Sequence, residues 1–258
     1  MNTSPKDSKV FCTRCVYDSS LPGIYFDSDG VCNYCSQVEA LKIQYGTGSD
    51  KGRQHFESII KNIKAKGKGK KYDCVVGVSG GVDSSYLLMK AHDWGLRPLA
   101  VHYDNTWNTA VASANIYSVT TALGIDLYTH VVDNSEINDL KRALLLASVP
   151  EFDGDTDIAL PQVMRSVAAR VGTDFILEGH SFVAEGISPL GKNYFDGKYI
   201  EDIHQKFGTK KIKTFPNLTF WQFIKWSLVY GQKFVRPFWY LDYSKSSARE
   251  ELSRRTGW

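Results

Sequence analysis

Residues 75–88 read VVGVSGGVDSSYLL. The stretch opens as an apolar strand, breaks at a double glycine and resumes with a helical pattern. The same alternation continues downstream. Cys74–Val78 reads as a strand and Asp83–Trp94 as a helix closed by Gly95. Pro98–Tyr103 is a second strand, and a helix over Ala110–Leu123 ends at Gly124. Leu127–Val132 is a third strand and Ile137–Ala147 a helix. A helix over Pro161–Val171, with proline in its first turn and Gly172 past its end, leads to a fourth strand at Phe175–Leu177. Continuous apolar strands between amphipathic helices predict an α/β fold, a doubly wound parallel sheet covered on both faces.

In such a sheet, ligands bind at the carboxyl ends of the strands, near the switch point. The turn after the first strand is the expected phosphate seat. Gly80 and Gly81 remove side chains that would hold a phosphate off the backbone, and the N–H groups opening the next helix face the anion. Ser79 and Ser84 offer hydroxyl donors. Asp83 is the candidate magnesium ligand, with a helix N-cap as its other reading. The Walker loop and the GxGxxG fingerprint are both missing here.

Ser79-Gly-Gly-Val-Asp-Ser84 does match SGGxDS, and in this the chain resembles the PP-loop ATP pyrophosphatases, of the adenine nucleotide alpha hydrolase-like fold. The resemblance implies that ATP is split between its α and β phosphates, that AMP passes to a carbonyl oxygen of the substrate, and that a nucleophile then displaces AMP. It implies ATP contacts from Val78, Ser79, Gly80, Gly81, Val82, Asp83, Ser84 and Ser85. Tyr103, Asp104 and Asn105, after the second strand, are expected at the adenine and ribose. Gly179 and His180, after the fourth, match a second glycine–histidine motif. Asp83, Ser84 and His180 are the catalytic candidates, and His180 is equally readable as a structural histidine. Arg236 and Lys245 match an "RP…K" segment whose cations bind phosphate, with a plain surface role as the other reading of each.

Cys12-Thr-Arg-Cys15 and Cys32-Asn-Tyr-Cys35 are separated by sixteen residues, inside zinc-ribbon spacing. Cys12, Cys15, Cys32 and Cys35 are therefore candidate ligands of a structural zinc, with an iron–sulfur cluster as the rival. Cys74 reads as a small buried hydrophobe. The expected organisation is a ribbon at 1–45, a helix and basic linker at 46–71, an ATP-binding domain at 72–181 and an aromatic, partly helical extension at 182–258. Helical pattern runs from Val38 to Lys64, and 219–230 and 246–256 are further helix candidates. With 43% hydrophobic and 23% charged residues the composition is ordinary for a globular chain, and a net charge of +3 does not argue for a nucleic-acid surface. No apolar run matches a membrane span and the N-terminus has no apolar signal core, so the cytoplasm is the expected compartment.

Across nearly its whole length, the chain resembles one family more closely. CTRCVYDSSLPGIYFDSDGVCNYC at 12–35, GVSGGVDSSYL at 77–87, LEGHS at 177–181 and RPFWYLDYSK at 236–245 resemble the N-acetyl sugar amidotransferases of bacterial surface-polysaccharide synthesis. The resemblance implies conversion of an acetamido group on a nucleotide sugar into an acetamidino group, for lipopolysaccharide O-antigen or a related glycan. It implies ATP, Mg2+ and structural Zn2+. Asn2 stands where a glutaminase domain would place its cysteine, so a separate glutaminase subunit is expected to supply ammonia. The aromatic tail is readable as core or as a homo-oligomer interface. Members of that family usually continue past the position of Trp258, which implies further chain there. An ATP-dependent tRNA-modifying enzyme is the alternative, and a non-catalytic nucleotide-binding scaffold a third reading.

Overall fold

Side chains along the central strand point alternately to two apolar layers. The structure, a computed structural model, describes residues 9–188 and 196–258. Residues 1–8, where the sequence lacks a signal core, and 189–195, within the expected extension, lie outside the described residues.

Five strands form one parallel sheet: β1 (Cys74–Gly77), β2 (Pro98–Asp104), β3 (Leu127–Val131), β4 (Phe175–Leu177) and β5 (Lys233–Val235), in the order β3-β2-β1-β4-β5. Cys74 and Val76 face a layer built from α2 (Asp50–Gly67), α3 (Val82–Asp93), α4 (Ala110–Leu123) and α10 (Lys245–Thr256). Val75 faces the other layer, formed by α5 (Asn134–Leu146), α6 (Gly154–Val171) and α8 (Gly197–Phe207). This is the doubly wound α/β sheet expected from the sequence. From β1 the chain winds through β2 to β3, then crosses to β4 on the other side of β1. The loops after β1 and β4 therefore part company, and the crevice between them is the switch point.

The remaining helices are α1 (Asn33–Tyr45), α7 (Phe182–Glu185) and α9 (Phe220–Ile224), the last running directly into a π-helical turn at Lys225–Val229. The expected helix at 219–230 thus forms, with its last turn widened. None of the described helices is long and apolar enough to cross a membrane.

Three expectations change. The helical stretch from Val38 to Lys64 is two helices, because Gly46 ends α1 in a left-handed conformation and Ser49 caps α2 by accepting from the Gly52 N–H. Helix α6 begins at Gly154, not Pro161; the proline sits inside and forfeits only the bond to the Asp157 carbonyl. The short edge strand β5 was not foreseen.

The basic stretch 64–71 closes α2 and lies at the amino ends of the strands. There Lys66 pairs with Asp174 and Lys71 with Asp126 at 2.8 and 2.9 Å. The lysine-rich segment 209–214 is tied down through its backbone: Asp139 accepts from the N–H groups of Thr209 and Lys210, and Glu136 from those of Lys213 and Thr214.

Candidate active site

The loop after β1 is shaped by Gly80. Its φ is +79°, and a Cβ there would lie 2.2 Å from the Ala112 carbonyl oxygen on α4. Only glycine satisfies both the angle and the contact. Within the loop the Ser84 hydroxyl accepts from the Ser79 N–H at 3.1 Å, and the two serine hydroxyls lie 3.2 Å apart. Gly81 occupies the N-cap position of α3 and brings no capping side chain. The first N–H groups of α3 therefore lack a side-chain cap at the place where an anion would sit.

Gly179, after β4, closes the crevice from the other side. A Cβ there would lie 2.9 Å from the Asp83 carbonyl, so the β4 loop closes against the first turn of α3. Between them opens a cleft of about 630 Å3. Val78, Ser79, Gly81, Asp83 and Ser84 line it from the β1 side, Gly179, His180 and Arg236 from the β4–β5 side, and Tyr103 and Asn105 from the end of β2. Its far wall is the start of α6, where Asp153, Thr156, Asp157, Leu160 and Met164 face in. Positions 157, 160 and 164 share one helix face.

Both cations near the loop are held by acids. Lys245 lies 3.2 Å from the Asp83 carboxylate, which also accepts the Tyr243 hydroxyl. Arg236 donates to Glu178 at 2.9 Å and stacks on Trp239, 4.9 Å from the ring centre. Asp83 is thus no helix cap, because Tyr243 and Lys245 take up its carboxylate while Gly81 occupies the cap position.

Two histidines line the cleft with opposite tautomers. Trp239 can only donate, so His180 Nδ1, 3.1 Å from its indole nitrogen, is the acceptor and Nε2 carries the proton, facing Glu185 at 3.5 Å. His102 Nδ1 lies 2.9 Å from the Val78 carbonyl, which can only accept, so there Nδ1 carries the proton.

Asp157 opens onto the cleft, yet burial by the surrounding protein, then the carboxylates of Asp153, Glu151 and Asp155, push its pKa up to about 6. A raised acid pKa destabilises the fold as pH climbs from about 4 through 6, and the penalty is complete above that. Asp157→Asn removes it. Solvent screening in the open cleft trims the gain to roughly 1 kcal/mol at pH 7.5, or about 2–4 °C in Tm, with none at pH 4. Thermal melts at both pH values check this, and equal shifts at both would dismiss an ionisation effect.

The four ribbon sulfurs lie within 4.8 Å of one another. Tetrahedral Zn–S bonds of about 2.3 Å place sulfurs roughly 3.8 Å apart, and the Cys12–Cys35 and Cys15–Cys32 pairs stand at 3.9 and 3.6 Å. That spacing matches the sulfurs around a single tetrahedral ion. Burial works against a Cys12 thiolate, but the N–H groups of Arg14, Cys32 and Cys15 outweigh it and lower the pKa to about 6. Burial and the neighbouring thiols push Cys35 the other way. The four sulfurs together could hold one metal ion, and zinc fits the donor set.

Of the expected nucleotide contacts, Gly80, Val82, Ser85, Asp104 and Lys245 stand back from the cleft surface. Val82 packs on the core, and Ser85 is buried against the Trp258 indole. Asp104 holds its own turn, accepting from the Thr106 N–H and the Asn108 amide. Sequence reasoning missed Asp153, Asp157, Glu178, His102 and Tyr243. The run Asp153-Gly-Asp-Thr-Asp157 was the available signal, since acids mark a helix start.

No family model matches the chain. An uncharacterized protein of Methanocaldococcus jannaschii is 27% identical over 171 residues, 66% of this chain, and the chain spans 58% of that relative's length. Among solved structures, NMN synthetase from Francisella tularensis aligns over 80% of this chain and 92% of its own at 15% identity, with a TM-score of 0.38. NH3-dependent NAD synthetase from Campylobacter jejuni aligns over 60% and 72% at 15% identity and a TM-score of 0.37. A predicted subunit of tRNA methyltransferase from M. jannaschii aligns over 70% and 74% at 11% identity and a TM-score of 0.37.

Proposed function

We propose that this chain is an ATP-dependent amidotransferase. It adenylates the amide oxygen of an acetamido group on a nucleotide-activated sugar and replaces that oxygen with ammonia, giving an acetamidino sugar, AMP and pyrophosphate. The observation that carries the ATP chemistry is the SGGVDS loop, held at the switch point by Gly80 and opening on the cleft. The sugar substrate rests on the sequence resemblance at 12–35, 77–87, 177–181 and 236–245.

The residues divide the work. The Ser79 and Ser84 hydroxyls and the N–H groups opening α3 bind the pyrophosphate end of ATP. Arg236 and Lys245, each already beside a carboxylate, turn toward phosphate when it arrives. The cleft is rich in acids, so a polyphosphate needs an accompanying cation there. Asp83 and Glu178 would offer the oxygen donors that magnesium takes, and the ion would neutralise the phosphates. His180 Nδ1 is taken by the Trp239 N–H, and its Nε2–H donates to the oxygen that gains charge. Asp157 has no ion-pair partner among the described residues and takes the proton that ammonia sheds on attack. We further propose that a separate glutaminase supplies this ammonia, and that the chain works in the cytoplasm.

Incubation with ATP, Mg2+ and ammonium, followed by mass spectrometry, tests the reading. One set holds acetamido nucleotide sugars and the other unmodified tRNA. A sugar that exchanges oxygen for an NH group, with matching AMP and pyrophosphate, is the expected product. Modified tRNA with unchanged sugars would replace this reading with the tRNA-modifying one. The tRNA reading gains nothing from the basic stretch 64–71, which lies at the opposite end of the sheet from the cleft.

A further inference from the structure

The Gly80 carbonyl receives two side-chain donors from distant parts of the chain. The Asn115 amide on α4 donates at 3.1 Å, and the Trp258 indole, just past α10, donates at 3.2 Å. We propose that Asn115 and Trp258 are positioning residues for the phosphate loop: they pin the Gly80–Gly81 peptide so that the Gly81 N–H is presented to an anion. The proposal rests on the reading of this cleft as an ATP site.

The stereochemistry is direct. Across a trans peptide the C=O and the following N–H point in opposite directions. Two donors that draw the Gly80 carbonyl into the body of the protein turn the Gly81 N–H outward. That N–H now meets only the Ser79 hydroxyl at 3.4 Å, a long contact that a phosphate oxygen can replace. The clamp answers a weakness built into the loop. A glycine free to adopt a φ of +79° also leaves its neighbouring peptide free to turn over. A turned peptide would aim a carbonyl oxygen at the phosphates instead of a donor.

The two donors are not what holds their own helices in place. Helix α10 is fixed to α3 by Glu251 with Tyr86 and Lys90, by Arg255 with Asp93, and by buried Leu252. Helix α4 is anchored by buried Ile116 and Val119. The indole N–H also reaches the Ser85 hydroxyl at 3.2 Å, so a single donor ties α10 to both ends of the loop.

The test measures binding of two probes, inorganic pyrophosphate and adenosine, by calorimetry with magnesium present. Trp258→Phe keeps an aromatic ring and loses the N–H; Asn115→Leu keeps the volume and loses the amide. Each single change is expected to weaken pyrophosphate binding roughly 3- to 10-fold, the range of one hydrogen bond. The double variant is expected to lose about 30-fold, with adenosine binding within twofold of the wild type. Unchanged pyrophosphate binding in the double variant overturns the proposal. So does an equal loss for both probes, which would mark general damage. A wild-type protein that binds no pyrophosphate would fell the ATP-site reading and the clamp with it. A wild-type protein that binds pyrophosphate but yields no amidino sugar would fell only the sugar reading, and the clamp is still decided by the variants.

Discussion

Gly80→Ala is expected to cut ATP–pyrophosphate exchange by roughly 100-fold or more while the protein stays folded at room temperature. Two costs meet at this position. Holding an alanine at a φ of +79° costs about 1–2 kcal/mol. The added methyl would also sit 2.2 Å from the Ala112 carbonyl, and backbone cannot swing aside as a side chain can. Either the loop or α4 must retreat by about 1 Å to reach an ordinary contact, and a displacement of that size at a reacting centre costs on the order of 100-fold. Gly81→Ala is the control. Its φ is −75°, and its Cβ would meet only the Ser79 hydroxyl at an ordinary 3.4 Å. It is expected to keep the loop's shape and lose less than tenfold. Isotope exchange between pyrophosphate and ATP in the presence of an acetamido nucleotide sugar, with circular dichroism to show folding, measures both. Exchange within threefold of wild type for Gly80→Ala would remove this loop from the chemistry.

The reason the phosphate loop was readable in advance is that its constraint is local. A strand, two glycines and a helix start stand next to each other, and the glycines answer to backbone geometry that few other residues tolerate. The ribbon was readable for a similar reason, since four thiols at that spacing have few uses. What escaped was whatever depends on distant chain. Strand β5 has three residues, too few for periodicity, and exists because it bonds to the edge of β4. The first two turns of α6 were hidden by Pro161, whose usual place is a first turn. The cost of a mid-helix proline is met here by packing of Ile158, Ala159 and Val163 into the core. With those turns went Asp157, the acid facing the phosphate loop across the cleft. Tyr243 and Lys245 converge on Asp83 from some 160 residues away, and no spacing rule announces such a meeting.

The second large effect concerns the metal. Stripping it with a strong chelator, or replacing Cys32 by serine, is expected to unfold the ribbon and leave the α/β core standing. A structural zinc contributes on the order of 10 kcal/mol or more to the folding of so small a module, and the buried residues clustered at the ribbon are few: Cys12, Cys32 and Tyr34. The two sheet-face cores do not draw on it. Elemental analysis is expected to find one zinc per chain in the wild type and none in Cys32→Ser; iron in its place would reverse the assignment. The loss should travel. Cys32 stands at the N-cap position of α1 and Cys35 lies in its first turn, so a metal held by both would fix where that helix begins. At its other end Tyr45 packs edge-on against Trp239 at 4.8 Å, and Trp239 sets the tautomer of His180. The Tyr17 hydroxyl on the ribbon adds a second tie, to the Ile187 carbonyl at 3.0 Å. A released α1 frees Trp239 and, with it, the histidine in the cleft. Metal-free protein is therefore expected to bind pyrophosphate normally, because the SGGVDS loop is clamped by α4 and α10, while transfer to the sugar falls at least tenfold. Equal loss of binding and transfer would mean that the ribbon supports the whole fold rather than the histidine side of the cleft.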